Sequence, residues 1–232
     1  MSVQFDGSTS YLIRDAVTVL DYNSNYTILG KVYADQVTVY EVLSLIGHAV
    51  GGSDDDAIVI AHTSARLGGE EQLAGVYSTN DGTSVIATAT WYHVALVRSG
   101  NNLLIYLDGT LETTVTGGNH ASRPASDRMV LGAWLTASDK FTGRLFHWAA
   151  WQSALTQTEV NTEKTSWPPA KASPWAYWPL SVHTDLTDGS GNARHWTGNG
   201  TLSTAGDPPG GGGGGSGTAL DSDYLLIQIV QR

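Results

Sequence analysis

Residues 91–109 read WYHVALVRSGNNLLIYLDG, two stretches in which apolar and polar side chains alternate around Ser99-Gly100-Asn101-Asn102. A period of two sends successive side chains to opposite faces of an extended chain, so the segment predicts an antiparallel β-hairpin. Asp108-Gly109 adds a second turn signal, because both residue types tolerate the backbone that tight hairpins require. A hairpin alone is marginal in water, so the rest of the chain is expected to supply more sheet.

Strand-like runs recur at Tyr11 to Ile13, Tyr26 to Tyr33, Val37 to Ile46, Ala57 to His62, Gln72 to Tyr77, Ser84 to Thr88, Trp91 to Arg98, Leu103 to Leu107, Met129 to Trp134 and Arg144 to Trp151. Turn residues separate nearly all of them. This spacing predicts an all-β fold, a two-sheet antiparallel jelly-roll sandwich. Gly (27), Tyr (10) and Trp (8) are plentiful while glutamates number six, which fits short strands, tight turns and an aromatic core. One short helix is expected within Thr156 to Lys164, where Thr156 and Glu159 have capping-box spacing and Pro168-Pro169 closes the segment.

The composition changes after Ala205. Asp207-Pro208-Pro209 precedes six glycines, so the chain divides into a domain at 1–206, a linker at 207–217 and a terminal segment at 218–232. That segment holds Tyr224, Leu225, Leu226, Ile227, Ile229 and Val230, a concentrated β-forming stretch. Two fates stay open for it: a further strand of the same domain, or a strand that completes a sheet edge on another protein subunit of an assembly. The second is expected, since a local hairpin needs no long glycine tether.

A net charge of −10 with scattered basic residues argues against nucleic acid or anionic lipid as a partner. No apolar stretch approaches the roughly 18 residues of a membrane span, and no secretory signal is visible before the first strand. Cysteine is absent, which removes disulfides and thiol chemistry.

Three pieces together resemble the laminin-G-like, concanavalin A-like lectin jelly-roll superfamily: FDGSTSYL at 5–12, WYHVALV with LLIYLDG, and LGAW followed by FTGRLFHWAAWQSALTQTEV. A further block, AYWPL at 176–180 followed by DGSGN at 188–192, is similar to one usually found before FDGS. Here it comes last, as in a circular permutation, which implies that the strands near Val3 to Phe5 and His195 to Leu202 are neighbours. The resemblance also implies bacterial or bacteriophage particle surfaces as a setting.

The same superfold includes β-glucanases with E-x-D-x-E or E-x-D-x-x-E clusters, and none occurs here. Glu70 and Glu71 are adjacent, so they face opposite sides of a strand and cannot flank one glycosidic bond. The seven histidines lie apart, without H-E-x-x-H or G-x-S-x-G. The chain is therefore not expected to be an enzyme.

Related domains often hold a rim Ca2+ ion, and hard cations take oxygen ligands. Asp54 and Asp56 of the Asp54-Asp55-Asp56 loop are the candidate ligands, against the alternative of a solvated acidic loop. Asp188 and Asn192 are read instead as a loop closed by side-chain-to-backbone bonds. Glycan binding requires exposed aromatic faces. Trp167, Trp175 and Trp196 lie near prolines, glycines or loop residues and are the candidates, whereas Trp134, Trp148 and Trp151 follow strand alternation and are read as core. The expected function is a non-catalytic lectin-like module that binds polysaccharide or mediates adhesion on a virion or extracellular surface, attached by its C-terminal strand. The alternative is a structural capsid decoration or cementing protein without a sugar site.

Overall fold

The computed structural model describes residues 1–15, 19–48, 54–60, 65–117, 124–134 and 137–206. Its strands are β1 (Ser2–Asp6), β2 (Tyr11–Asp15), β3 (Tyr26–Ala34), β4 (Glu41–Gly47), β5 (Asp55–Ile60), β6 (Arg66–Leu73), β7 (Val76–Val85) and β8 (Trp91–Ser99). Then follow β9 (Asn102–Leu107), β10 (Thr110–Thr116), β11 (Arg128–Leu131), β12 (Thr142–Trp151), helix α1 (Gln157–Glu163), β13 (Ala176–Trp178), β14 (Thr197–Asn199) and β15 (Ser203–Ala205). An eight-stranded sheet runs β10-β9-β8-β3-β12-β1-β15 with β13 paired to β12, and a seven-stranded sheet runs β14-β2-β11-β4-β5-β6-β7. The fold is the expected all-β antiparallel sandwich with one short helix. The linker and the segment 218–232 lie outside the described residues.

The opening hairpin forms as its alternation dictates. Val94 and Leu96 of β8 join the core between the sheets, while Ala95 and Val97 join a separate cluster beneath α1. Asp108 and Gly109 have φ of 50° and 82° and join Leu107 to Thr110, the two left-handed residues that a two-residue hairpin turn demands. In α1, the Thr156 side chain accepts from the Glu159 backbone and the Glu159 carboxylate accepts from the Thr156 backbone, as the capping-box spacing predicts.

The expected neighbour of Val3 to Phe5 is corrected: the strand within 195–202 lies in the other sheet, and residues 203–205 take its place beside β1. β15 pairs with β1 in one sheet, and β14 pairs with β2 in the other. The DGSGN loop is closed by Asp188, whose carboxylate accepts from the backbone of Tyr177, Ser190 and Arg194 and from the Ser190 hydroxyl. Burial alone would raise the Asp188 pKa, but these donors outweigh it and hold the carboxyl below its ordinary range.

Two departures have physical causes. The run Gln72 to Tyr77 is interrupted by Ala74 and Gly75 at φ of 51° and 81°, so it is the turn between β6 and β7 rather than a strand. β6 itself carries Gly68-Gly69-Glu70-Glu71, outside the strand-like runs of the sequence, yet Gly69 faces Ile105 so closely that a Cβ would approach that side chain to 2.7 Å.

Glu71 reaches the sandwich interior and explains the charge. There Arg98 of β8, 1 % exposed, bonds Asp56 at 2.6 Å and Glu71 at 2.8 Å, and the Tyr26 hydroxyl donates to Asp56 at 2.7 Å. This ion cluster bridges the two sheets. Burial by itself would lower the Arg98 pKa, but Asp56, the Tyr26 oxygen and Glu71 raise it, so the guanidinium stays charged.

Another buried carboxylate, Glu41, has no cation beside it in its hydrogen-bond network. Glu41 Oε1 accepts from Gln36 and from the Thr142 backbone, while Oε2 is buried without a partner. Burial raises its pKa from 4.5 to about 7, against the opposing effect of the Gln36 and Thr142 bonds. The folded protein therefore binds more protons than the unfolded chain between those values, and stability from this group falls as pH rises through the window. Glu41→Gln keeps the two accepted bonds and removes the charging cost. Chemical denaturation at pH 8 should find the variant more stable by roughly 2 kcal/mol, with the gain vanishing near pH 4; an equal gain at both pH values would contradict this assignment.

Candidate functional site

The outer face of the seven-stranded sheet is apolar at its centre. Val42, Leu45, Ala57, Val59, Val130 and Ala133 cluster there, with Tyr11, Ile13, Tyr40 and Trp134 packed against them. These residues alternate with the inward-facing Leu43, Ile46, Ile58 and Met129, the arrangement of strands apolar on both sides.

At one end of this face lies an open depression of about 810 Å³. Its aromatic walls are Tyr40, Tyr77 and Trp134, and its polar groups are Glu70, Asp139, Ser138 and Thr79. Register explains the convergence: Tyr77 and Thr79 of β7 pair with Gln72 and Glu70 of β6, so all present to the same face. Tyr40 precedes β4 and donates its hydroxyl to Glu70 Oε2 at 2.8 Å. Burial first, then the Glu70 charge, pushes the Tyr40 phenol well above its ordinary pKa, so it remains a donor. Tyr77 is 54 % exposed and is shifted upward by burial and by Asp55, Glu70 and Asp139.

Trp134 is held by the loop that follows β11. Its backbone N–H donates to Ser138 and its carbonyl accepts from Ala137, while Lys140 Nζ bonds the Ala137 carbonyl. Ala137 and Asp139 sit at φ of 59° and 47°, and Val42 N–H bonds the Asp139 carbonyl at 3.0 Å, tying the loop to β4. The expectation that Trp134 is core holds in part: β11 ends at Leu131 and Gly132 turns the chain at φ 79°, so the indole is half-buried, packed on the apolar cluster with one part lining the depression. Trp148 and Trp151 are buried as expected.

The three tryptophans singled out in the sequence do not share a surface. Trp196 is only 5 % exposed and packs on Trp178 at 4.8 Å in the central core, so its expected exposure is corrected. Its loop setting suggested exposure, but the Trp196 backbone N–H bonds the Leu186 carbonyl at 3.0 Å and the ring packs inward. Trp175 is half-buried, with the Arg194 guanidinium 4.2 Å over its ring and Trp178 against its edge. Trp167 is half-buried against His147 at 4.3 Å, on the outer face of the eight-stranded sheet.

The candidate metal ligands are likewise separated. Asp56 points into the sandwich and is committed to Arg98 and Tyr26, while Asp54 accepts from the Ala74 backbone at 2.9 Å. The expected pairing of Asp54 and Asp56 on a rim ion is therefore corrected, because one strand register sends Asp56 to the core. Among the described residues no group of three or more His, Cys, Asp or Glu side chains is arranged to hold a metal ion. Glu70 and Glu71 do face opposite sides, one lining the depression and the other bonded to Arg98.

Comparison with known proteins agrees with this architecture. Residues 6–161 match the model of the laminin-G-type family of the concanavalin A-like lectin/glucanases superfamily, and the chain belongs to that superfamily. No curated protein matches the chain by sequence. Among solved structures, a Bacteroides ovatus protein assigned provisionally to carbohydrate binding superposes with a TM-score of 0.65 at 18% identity, covering 89% of this chain. The chain spans 60% of that protein's length. A heptameric SAP-like pentraxin of Limulus polyphemus gives a TM-score of 0.65 at 14% identity, over 91% of this chain and 96% of its own. Domain 4 of a Geobacillus stearothermophilus arabinanase, solved with arabinotriose, gives 0.56 at 18% identity over 69% of this chain and 75% of its own. The shared feature is the sandwich.

Proposed function

We propose that this concanavalin A-like domain is a non-catalytic lectin-like module that binds a neutral carbohydrate on the outer face of its seven-stranded sheet. The observation that carries the reading is the convergence of Tyr40, Tyr77 and Trp134 with Glu70 and Asp139 around one depression. Aromatic faces pack on the C–H surface of sugar rings, and carboxylates accept from sugar hydroxyls. The same carboxylates repel acidic sugars, as does the net charge of −10. The structural likeness to a domain solved with arabinotriose supports a carbohydrate ligand. Catalysis is disfavoured by the Glu70 bond to Tyr40 and by the burial of Glu71.

A glycan array carrying neutral and acidic polysaccharides tests this directly. The expected result is binding of neutral glycans that is lost in Trp134→Ala and retained in chelator, with no release of reducing ends. Silence across the array would favour the structural decoration role instead.

The glycine tether and its terminal β-forming segment support a second part of the reading, in which the module is carried on a larger assembly, a virion or an extracellular surface. Deletion of residues 210–232 should abolish incorporation into that assembly while leaving sugar binding unchanged. Normal incorporation of the truncated chain would contradict attachment through this segment.

A further inference from the structure

On the other sheet, where α1 ends against β8, lies a smaller depression of about 220 Å³. Lys31, Trp91, Tyr92, His93, Asp108 and Lys164 line it. The chain has only four lysines, so two of them meet here. Register accounts for the first, since Lys31 of β3 pairs with His93 of β8. Helix α1 supplies the second at its C-cap, where Lys164 Nζ bonds the Asp108 carbonyl at 3.0 Å.

His93 is the anomaly. Its side chain is 2 % exposed, yet neither ring nitrogen has a hydrogen-bond partner. A neutral imidazole must still present one N–H, and a buried donor without an acceptor is unfavourable. Asp108 does not relieve it, because its Oδ1 accepts from the His93 backbone N–H at 2.9 Å rather than from the ring.

We propose that this depression binds a small oxyanion, held by the Lys31 and Lys164 ammonium groups and by a ring N–H of His93. Charge favours this assignment: two ammoniums face one carboxylate, and two of the three N–H donors of Lys164 remain for a ligand. Burial, then Lys31 and Lys164, pushes the His93 pKa down to about 3, so the imidazole is neutral and donates to the anion without carrying charge. The oxyanion can be free phosphate or sulfate, or the carboxylate of an acidic sugar whose ring lies along Trp91 and Tyr92. This site is independent of the neutral-sugar depression, which lies on the other sheet.

The test uses the full chain with 15N-labelled histidine, titrated with phosphate, sulfate and glucuronate, with sodium chloride matching ionic strength and glucose as the neutral control. A saturable shift of the His93 ring signals is expected with at least one of the anions and with neither control. Response to glucuronate alone assigns the site to an acidic sugar, and response to the inorganic anions assigns it to a free oxyanion. Lys31→Met and Lys164→Met should each weaken binding on the order of tenfold, the loss of one charge-assisted bond, with both variants folded at the titration temperature and the unfolding temperature of Lys31→Met unchanged. His93 signals that move no more with the anions than with chloride, or undiminished affinity in folded Lys31→Met, would overturn the proposal.

Discussion

Replacing Arg98 by methionine lowers the unfolding free energy by about 3 to 5 kcal/mol, the cost of leaving buried carboxylates without their cation. Asp56 and Glu71 come from the seven-stranded sheet and Arg98 from the other, so the substitution leaves two negative charges between the layers. Their mutual repulsion in a poorly screened interior is the main source of the loss. A triple variant with Arg98→Met, Asp56→Asn and Glu71→Gln removes all three charges together. It should recover a large part of the stability, because neutral groups carry a smaller desolvation cost than orphaned ions. Urea unfolding of the two variants beside the parent measures both steps. A loss below about 1 kcal/mol in Arg98→Met, the range of an exposed pair, would show that the cluster contributes little.

Trp134→Ala lowers the affinity for a neutral oligosaccharide by roughly thirtyfold or more, about 2 kcal/mol, the scale of a central aromatic contact. Its loop is fixed by backbone bonds from Trp134 to Ser138 and Ala137, and by Val42 to Asp139, so truncating the indole leaves the platform in place. Thermal unfolding should register the packing lost over the apolar cluster while the variant stays folded at the titration temperature. Trp175→Ala should leave affinity within about twofold, because the Trp175 ring is already covered by Arg194 and lies away from the depression. Calorimetric titration of both variants with the same sugar provides the contrast, and a larger loss in Trp175→Ala would place the site elsewhere.

Much of the fold was legible because it rests on local rules. Alternation in β8 and β9, the Asp108-Gly109 turn and the Thr156/Glu159 cap each act over a few residues, and each is found where those residues place it. β6 was opaque for the opposite reason. Its glycines and glutamates are acceptable in a strand only because Ile105 fills the space at Gly69 and Arg98 neutralises Glu71, partners 36 and 27 positions away in the chain. Ala74 in a left-handed turn gives no compositional signal at all.

The candidate site was less legible than the fold. Alternation suggested a fully buried Trp134, whereas Gly132 ends the strand first and the indole is only half-buried, resting on the apolar cluster at the edge of the depression. Nearness to glycine and proline suggested an exposed Trp196, whereas the last segment returns that ring to the core against Trp178. Asp56 looked like part of a solvated acidic loop, and only its strand register reveals a partner of Arg98. A site assembled from the end of one strand, the middle of another and an intervening loop depends on long-range register, which a single sequence does not display.

The eight tryptophan indoles provide the most direct test of the neutral-sugar platform. Two-dimensional 1H–15N spectra of the full chain, recorded as a neutral oligosaccharide is added, should show the Trp134 indole shifting saturably while those of Trp175 and Trp196 stay in place. Saturable shifts centred on Trp175, with Trp134 unmoved, would contradict the account.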